Sequence, residues 1–206
     1  MNDKYYIRSI KLLRVLSKLE SDIRDNYQNG NICQRALANI AGLQCDLFTS
    51  YIVLLGEDED GPIVGRSVIL RSILENQGSL LHIKDNERRS DSFLGYVEKI
   101  EQQVNDMFTG NRAIDEDMNW SSSTISQRVL LIDKSTPRLY NMLSNFTHGN
   151  NVQYFINTPE LTEAYTKAID SYFIGIFIGF LAEIGIGLDM KDTNKQLIFD
   201  VIDSVS

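Results

Sequence analysis

With 206 residues, 43% hydrophobic and 23% charged, the chain has the balance of one globular domain with a full core. Its 13 glycines and 3 prolines exclude a collagen-like or low-complexity chain. A net charge of −8 argues against general nucleic-acid binding, because phosphates repel an acidic surface, but leaves room for a local basic patch.

Helical periodicity dominates from the start. Residues 4–26 place Tyr5, Leu12, Leu13, Leu16, Leu19 and Ile23 on one side, the stripe of an amphipathic helix. The start of the chain, Met1 to Tyr6, has no apolar signal-peptide core. Asn29-Gly30-Asn31 ends the first helix. A second covers about 32–55 through Ala36, Ile40, Leu43, Leu47, Tyr51 and Leu54. It carries both cysteines, Cys33 and Cys45, separated by roughly 18 Å of helix rise. That is too far for a disulfide, so reduced thiols and a cytoplasmic location are expected.

An acidic turn, Gly56 to Gly61, precedes Pro62, which suits the first turn of a helix over about 62–84. The buried face of that helix is read as Ile63, Leu70, Ile73, Leu74 and Leu81. A fourth helix is expected over about 88–109 with Phe93, Val97, Ile100, Val104 and Phe108. Residues 110–121 read as a polar loop, followed by a short helix near 123–132. Ser135-Thr136-Pro137 has the pattern of a cap and helix start, leading to about His148, where Gly149-Asn150-Asn151 stops it.

Thr158-Pro159-Glu160 opens a long helix to about 188, and a last helix covers roughly 192–204. Tyr172 to Leu188 nearly reaches membrane-span length and holds Gly175 and Gly179 at a close-packing spacing. Glu183 interrupts it and no cationic flank follows, so it is expected to be a buried central helix and not a membrane span. A larger side chain at Gly179 is then expected to overpack the core. The whole reads as a single all-α domain over 1–206, an up-and-down helical bundle of six to eight helices around a central apolar helix.

Three polar constellations stand out. Arg71 and Glu75 lie one turn apart at the edge of a core-facing helix, either as an intrahelical ion pair or as a pair that holds and orients an anion. Asn141, Ser144, Asn145 and His148 share one face, opposite Leu139, Leu143 and Phe146; His148 either caps the helix or acts on a ligand. Lys4, Arg8, Lys11, Arg14 and Lys18 fall within roughly a 120° arc, a solvated face or a track for a phosphate backbone, an RNA-binding surface. Asp58-Glu59-Asp60 has no calcium-loop pattern. With two histidines, no close cysteine pair and no Glu-x-x-His pair, no metal is expected. The absence of a phosphate-binding Gly-rich loop and of a Gly-x-Ser-x-Gly turn points away from nucleotide hydrolases and esterases, and no cofactor is expected.

Gly65 to Glu75, with its Arg-Ser-x-x-Glu run, and Tyr140 to Gly149, with its Tyr-x-x-Leu-Ser-x-x-x-His-Gly ending, resemble a little-characterised bacterial family of helical proteins. That family is similar in plan to the HEPN-like superfamily, and the resemblance covers roughly residues 35–185 in helix order. It implies metal-independent RNA cleavage, with His148 as general base toward a ribose 2′-hydroxyl and an Arg stabilising the phosphorane. Such nucleases carry that Arg four to six residues before the His, but positions 141–144 here are Asn, Met, Leu and Ser, and Arg138 lies nearly three turns away. Arg71 is the candidate to supply the charge from another helix, with Glu75, Ser144 and Asn145 completing the site. The resemblance also implies RNA as partner, a homodimer with the His helices facing across a two-fold, and an antitoxin or other protein partner in a toxin–antitoxin or phage-defence setting. The alternative is a non-catalytic helical module for interaction or dimerisation.

Overall fold

Apolar side chains recurring every third or fourth residue can leave water together on one face of a helix, and the chain takes that form over most of its described residues. The computed structural model describes residues 3–56, 63–109, 120–147 and 158–205. Among these there are nine helices and no strand: α1 (Asp3–Lys18), α2 (Glu20–Asn29), α3 (Ile32–Gly56), α4 (Ile63–Ile83), α5 (Glu87–Thr109), α6 (Ile125–Val129), α7 (Thr136–Thr147), α8 (Pro159–Gly187) and α9 (Asp192–Val205). The acidic turn at 57–62, most of the polar loop and the Gly149-Asn150-Asn151 stop lie outside the described residues.

The first expected helix is two. The amide of Leu19 is shared between the carbonyls of Val15 and Leu16, which tightens the turn and redirects α2. The new direction gives α2 a polar buried face. Asn26 donates through Nδ2 to the Asp189 carbonyl (2.7 Å) and accepts from the Asp189 amide (2.9 Å). Asp22 accepts from Asn194 Nδ2 (2.8 Å) and from the Lys191 amide (3.3 Å). Together they stitch α2 to the α8–α9 connection.

The core runs between α3 and α8. Phe48 stacks on Phe177 at 3.9 Å and Tyr51 on Phe173 at 4.0 Å, with Phe180 edge-on to Phe48. Among the described residues α3 and α8 are also the two helices long and apolar enough to cross a membrane, and here their apolar faces meet each other. The α3 stripe sits slightly off the expected one: Leu37, Ala41, Phe48 and Ile52 are buried, while Leu43 is 53% exposed. On α5 the stripe leaves the core after Phe93, Leu94 and Val97, and Phe108 is 88% exposed.

Two polar pairs explain charges inside apolar helices. Glu183, which interrupts the apolar run of α8, meets Lys84 Nζ at 2.6 Å. Deeper, Arg66 donates through Nη1 to both carboxylate oxygens of Asp170 (3.1 and 3.0 Å), and Tyr51 donates to the same carboxylate (2.8 Å). The face of α8 bearing Gly175 and Gly179 differs from the expectation. A Cβ added at either glycine meets nothing within 4 Å. Both line an open groove of about 540 Å³, with Gln77, Leu81, Ile132 and Tyr172, so α8 is central along one side only.

Candidate functional site: a polar seam along α4

α4 packs against α3, α5, α6, α7 and α8, so it has little surface to leave wet; Arg66 and Ser67 turn toward α8, while Arg71 and Glu75 lie where α7 crosses it. Arg71 and Glu75 do form the intrahelical pair, Arg71 Nε to Glu75 Oε1 at 3.1 Å, but they are not alone. The Tyr140 hydroxyl of α7 donates to Glu75 Oε1 at 2.7 Å and accepts from Arg71 Nε (3.4 Å) and Nη2 (3.3 Å). The three side chains close a ring of hydrogen bonds between two helices. Burial and the bond to Glu75 raise the Tyr140 hydroxyl above its ordinary pKa, so it stays a protonated donor. The bond to Tyr140 raises Arg71, which remains a cation. The side chains of Arg71 and Glu75 are 24% and 31% exposed, so the ring sits at the surface of the seam, within reach of a ligand.

Further along α7, the Ser144 hydroxyl is turned back onto the Tyr140 carbonyl at 2.9 Å, and Asn145 is exposed. The structure thus brings Arg71 and Glu75 to the helix that carries Ser144 and Asn145, and Tyr140 is the contact. His148 directly follows the last residue of α7 and lies outside the described residues. The basic run is elsewhere: α1 packs on α2, α3, α8 and α9, whereas α7 packs on α4 and α6. On α1, Lys4, Lys11, Arg14 and Lys18 are exposed and Arg8 is half-buried.

Toward its C-terminal end the seam continues under α6. Thr124 and Gln127 form a reciprocal capping box: Thr124 Oγ1 accepts from the Gln127 amide and Gln127 Oε1 accepts from the Thr124 amide. This fixes a helix of five residues whose backbone lies directly on Gly78. A Cβ there would sit 2.8 Å from the carbonyl carbon and oxygen of Arg128. The close crossing buries Arg128 beside α4. Its Nη1 donates to the Ser123 carbonyl at 2.7 Å, and its guanidinium carbon lies 4.9 Å from the Trp120 ring centre. Burial lowers the Arg128 pKa, while the charges of Glu75 and the Tyr140 hydroxyl oppose that shift, which puts Arg128 in electrostatic reach of the Arg71 ring. Two guanidinium groups therefore attend one carboxylate.

Tyr140, Arg128 and Trp120 carry no role in the sequence reading. Tyr140 was visible in the motif, yet nothing in its spacing says that it reaches α4. The Thr124-x-x-Gln127 signature was the available signal for α6. Among the described residues no cluster of His, Cys, Asp and Glu could hold a metal ion. Both cysteines are free thiols, and Cys45 is pushed up to about 12 by burial, then by Asp46 and Glu20, so it is a poor nucleophile. Set against protein families, curated proteins and solved structures, the chain matches none of them.

Proposed function

We propose that this chain is a HEPN-like RNA-binding bundle that cuts RNA without metal, acting at the α4–α7 seam. The observation that carries the reading is the hydrogen-bonded ring of Arg71, Glu75 and Tyr140. It supplies a positioned guanidinium to α7, the helix that leads to His148, although α7 itself lacks the arginine of such nucleases. Arg71 holds a non-bridging phosphate oxygen of the scissile bond. Glu75 fixes the guanidinium. Arg128 adds positive field from behind, and Asn145 and Ser144 flank the path of the strand. His148 accepts the 2′-hydroxyl proton as that oxygen attacks phosphorus, and the 5′-oxygen leaves, taking a proton from water. The products are a 2′,3′-cyclic phosphate and a 5′-hydroxyl. In this reading the chain works in the cytoplasm as a homodimer, under the control of an antitoxin or similar protein.

The test is cleavage of single-stranded and transfer RNA in excess chelator. Wild type should cut. His148→Ala should lower the rate by about 100-fold or more, and Arg71→Lys should come close to it, since an ammonium cannot reproduce the forked contact. A second reading rests on the same ring. Arg71 Nε and Nη2 are both engaged by Glu75 or Tyr140, so the trio clasps α4 to α7 with no ligand. Wild type that cuts no RNA, or His148→Ala that cuts equally well, would replace the nuclease with a non-catalytic interaction module.

A further inference from the structure

We propose that the cavity between the α4–α5 corner and residues 120–123 binds a phosphate monoester, the group borne by a nucleoside monophosphate or by the phosphorylated end of an RNA. The cavity holds about 440 Å³, within the range of small-ligand sites. Its lining is chemically one-sided. Arg88 and Arg89 supply two guanidinium groups, and His82, Asn86, Ser92 and Ser121 to Ser123 supply neutral donors; none of the lining residues is a carboxylate.

The wall is held before any ligand arrives. The Asn86 side chain accepts from the Arg89 amide at 3.0 Å, capping the start of α5, and Arg89 Nη1 donates to the His82 carbonyl at 3.2 Å. The Ser121 and Ser123 hydroxyls lie 3.2 and 3.4 Å from His82 Nε2. Trp120 stands edge-on to His82 and Phe93. Behind this wall Arg128 is anchored on the Ser123 carbonyl, and its buried Nε has no hydrogen-bond partner among the described residues. Among those residues Arg88, Arg89 and Arg128 form no ion pair, so three positive charges converge in a protein whose net charge is negative. The field is felt by His82: burial lowers its pKa, and Arg89 and Arg128 lower it further. A dianion is the group that this field favours, and forked guanidinium donors with serine hydroxyls are the groups that saturate its oxygens.

This site does not depend on the cleavage reading. It lies two helical turns along α4 from Glu75, and the cations that line it, Arg88 and Arg89, are not those assigned to the scissile phosphate. Trp120 is the only tryptophan in the chain, so its fluorescence reports on the cavity wall. The full chain is titrated with inorganic phosphate, AMP, adenosine, and a short RNA with and without a 5′-phosphate, read by Trp120 fluorescence and by equilibrium dialysis. AMP or the phosphorylated RNA should saturate, with adenosine and unphosphorylated RNA weaker by at least about tenfold. Tighter AMP identifies a mononucleotide, tighter phosphorylated RNA identifies an RNA end, and either supports the site. The double variant Arg88→Gln/Arg89→Gln should lose at least about tenfold in affinity while its cleavage of unphosphorylated RNA is unchanged. Ser121→Asp, which places a negative charge in the cavity, should do the same if the double variant proves unstable. Adenosine binding as well as AMP, no saturation at millimolar ligand, or unchanged AMP affinity in both variants overturns the proposal.

Discussion

Asp170 is surrounded by α3, α4 and α8, and its charge is matched only by what the fold brings to it. The side chains of Arg66 and Asp170 are 5% and 1% exposed, and burial raises the Asp170 pKa even with Arg66 and Tyr51 beside it. Removing one partner leaves the other charge buried and uncompensated. Asp170→Asn should therefore cost about 3–5 kcal/mol in urea unfolding. The double variant Arg66→Met/Asp170→Leu should recover most of that loss; if it does not, the pair itself stabilises the fold. His82 makes the complementary test. Its folded pKa lies below the 6.5 of an ordinary imidazole, so below about that value the unfolded chain takes up more protons than the folded one. Stability should be full above pH 6.5 and fall as the pH drops through it toward the depressed value. Melting temperature measured from pH 8 to 5 should show this slope, and His82→Gln should flatten it. Neither residue could be read from the sequence. Arg66 and Asp170 are 104 positions apart, and a local pattern has no way to announce such a partner.

Among the elements, α6 is the smallest and the one on which most polar geometry turns. It meets α4 at Gly78, where even a methyl group collides with backbone. Gly78→Ala should destabilise the fold by about 1–3 kcal/mol and shift the emission of Trp120, since α6 must lift and take Arg128 with it. Gly179 behaves in the opposite way. Its side of α8 is open, and leucine is a better helix former than glycine by up to about 1 kcal/mol, so Gly179→Leu should melt at the same temperature or higher. A drop of several degrees would show that the groove closes. This contrast shows what was legible. The apolar repeat located the long helices from α3 onward within a few residues, because burial of a stripe is a local property of the chain. Which stripes face each other is not local, and neither is the break at Leu19. Two glycines of equal standing in the sequence, Gly78 and Gly179, differ only through what lies opposite. The candidate site was half legible for the same reason: Arg71 and Glu75 pair within one helix, but their third member comes from α7.

At the scale of the molecule, net charge and local charge oppose each other. If α1 guides RNA, its exposed Lys4, Lys11, Arg14 and Lys18 release counterions on binding. The salt dependence of RNA affinity should then lose about 0.7 in logarithmic slope for each of these residues replaced by Gln. An unchanged slope assigns the face to solvent alone. Assembly is the second whole-molecule test. Light scattering of the purified chain should report a dimer at micromolar concentration, and a monomer would count against the two-fold nuclease arrangement.

The stitch between α2 and the α8–α9 connection also sets a schedule. Asn26 and Asp189 are 163 positions apart, and α1 packs on α8 and α9. A ribosome adding about 5–20 residues per second needs on the order of 8–30 s to deliver those partners after α2 emerges. Through that interval α3 can cover part of α1 and α2, but the side of α1 that meets α8 and α9 and the buried Asp22 and Asn26 of α2 lack their partners, and α3 waits for the phenylalanines of α8. The nascent chain is most vulnerable to aggregation and to chaperone capture in that window, and folding to completion is tied to its last third.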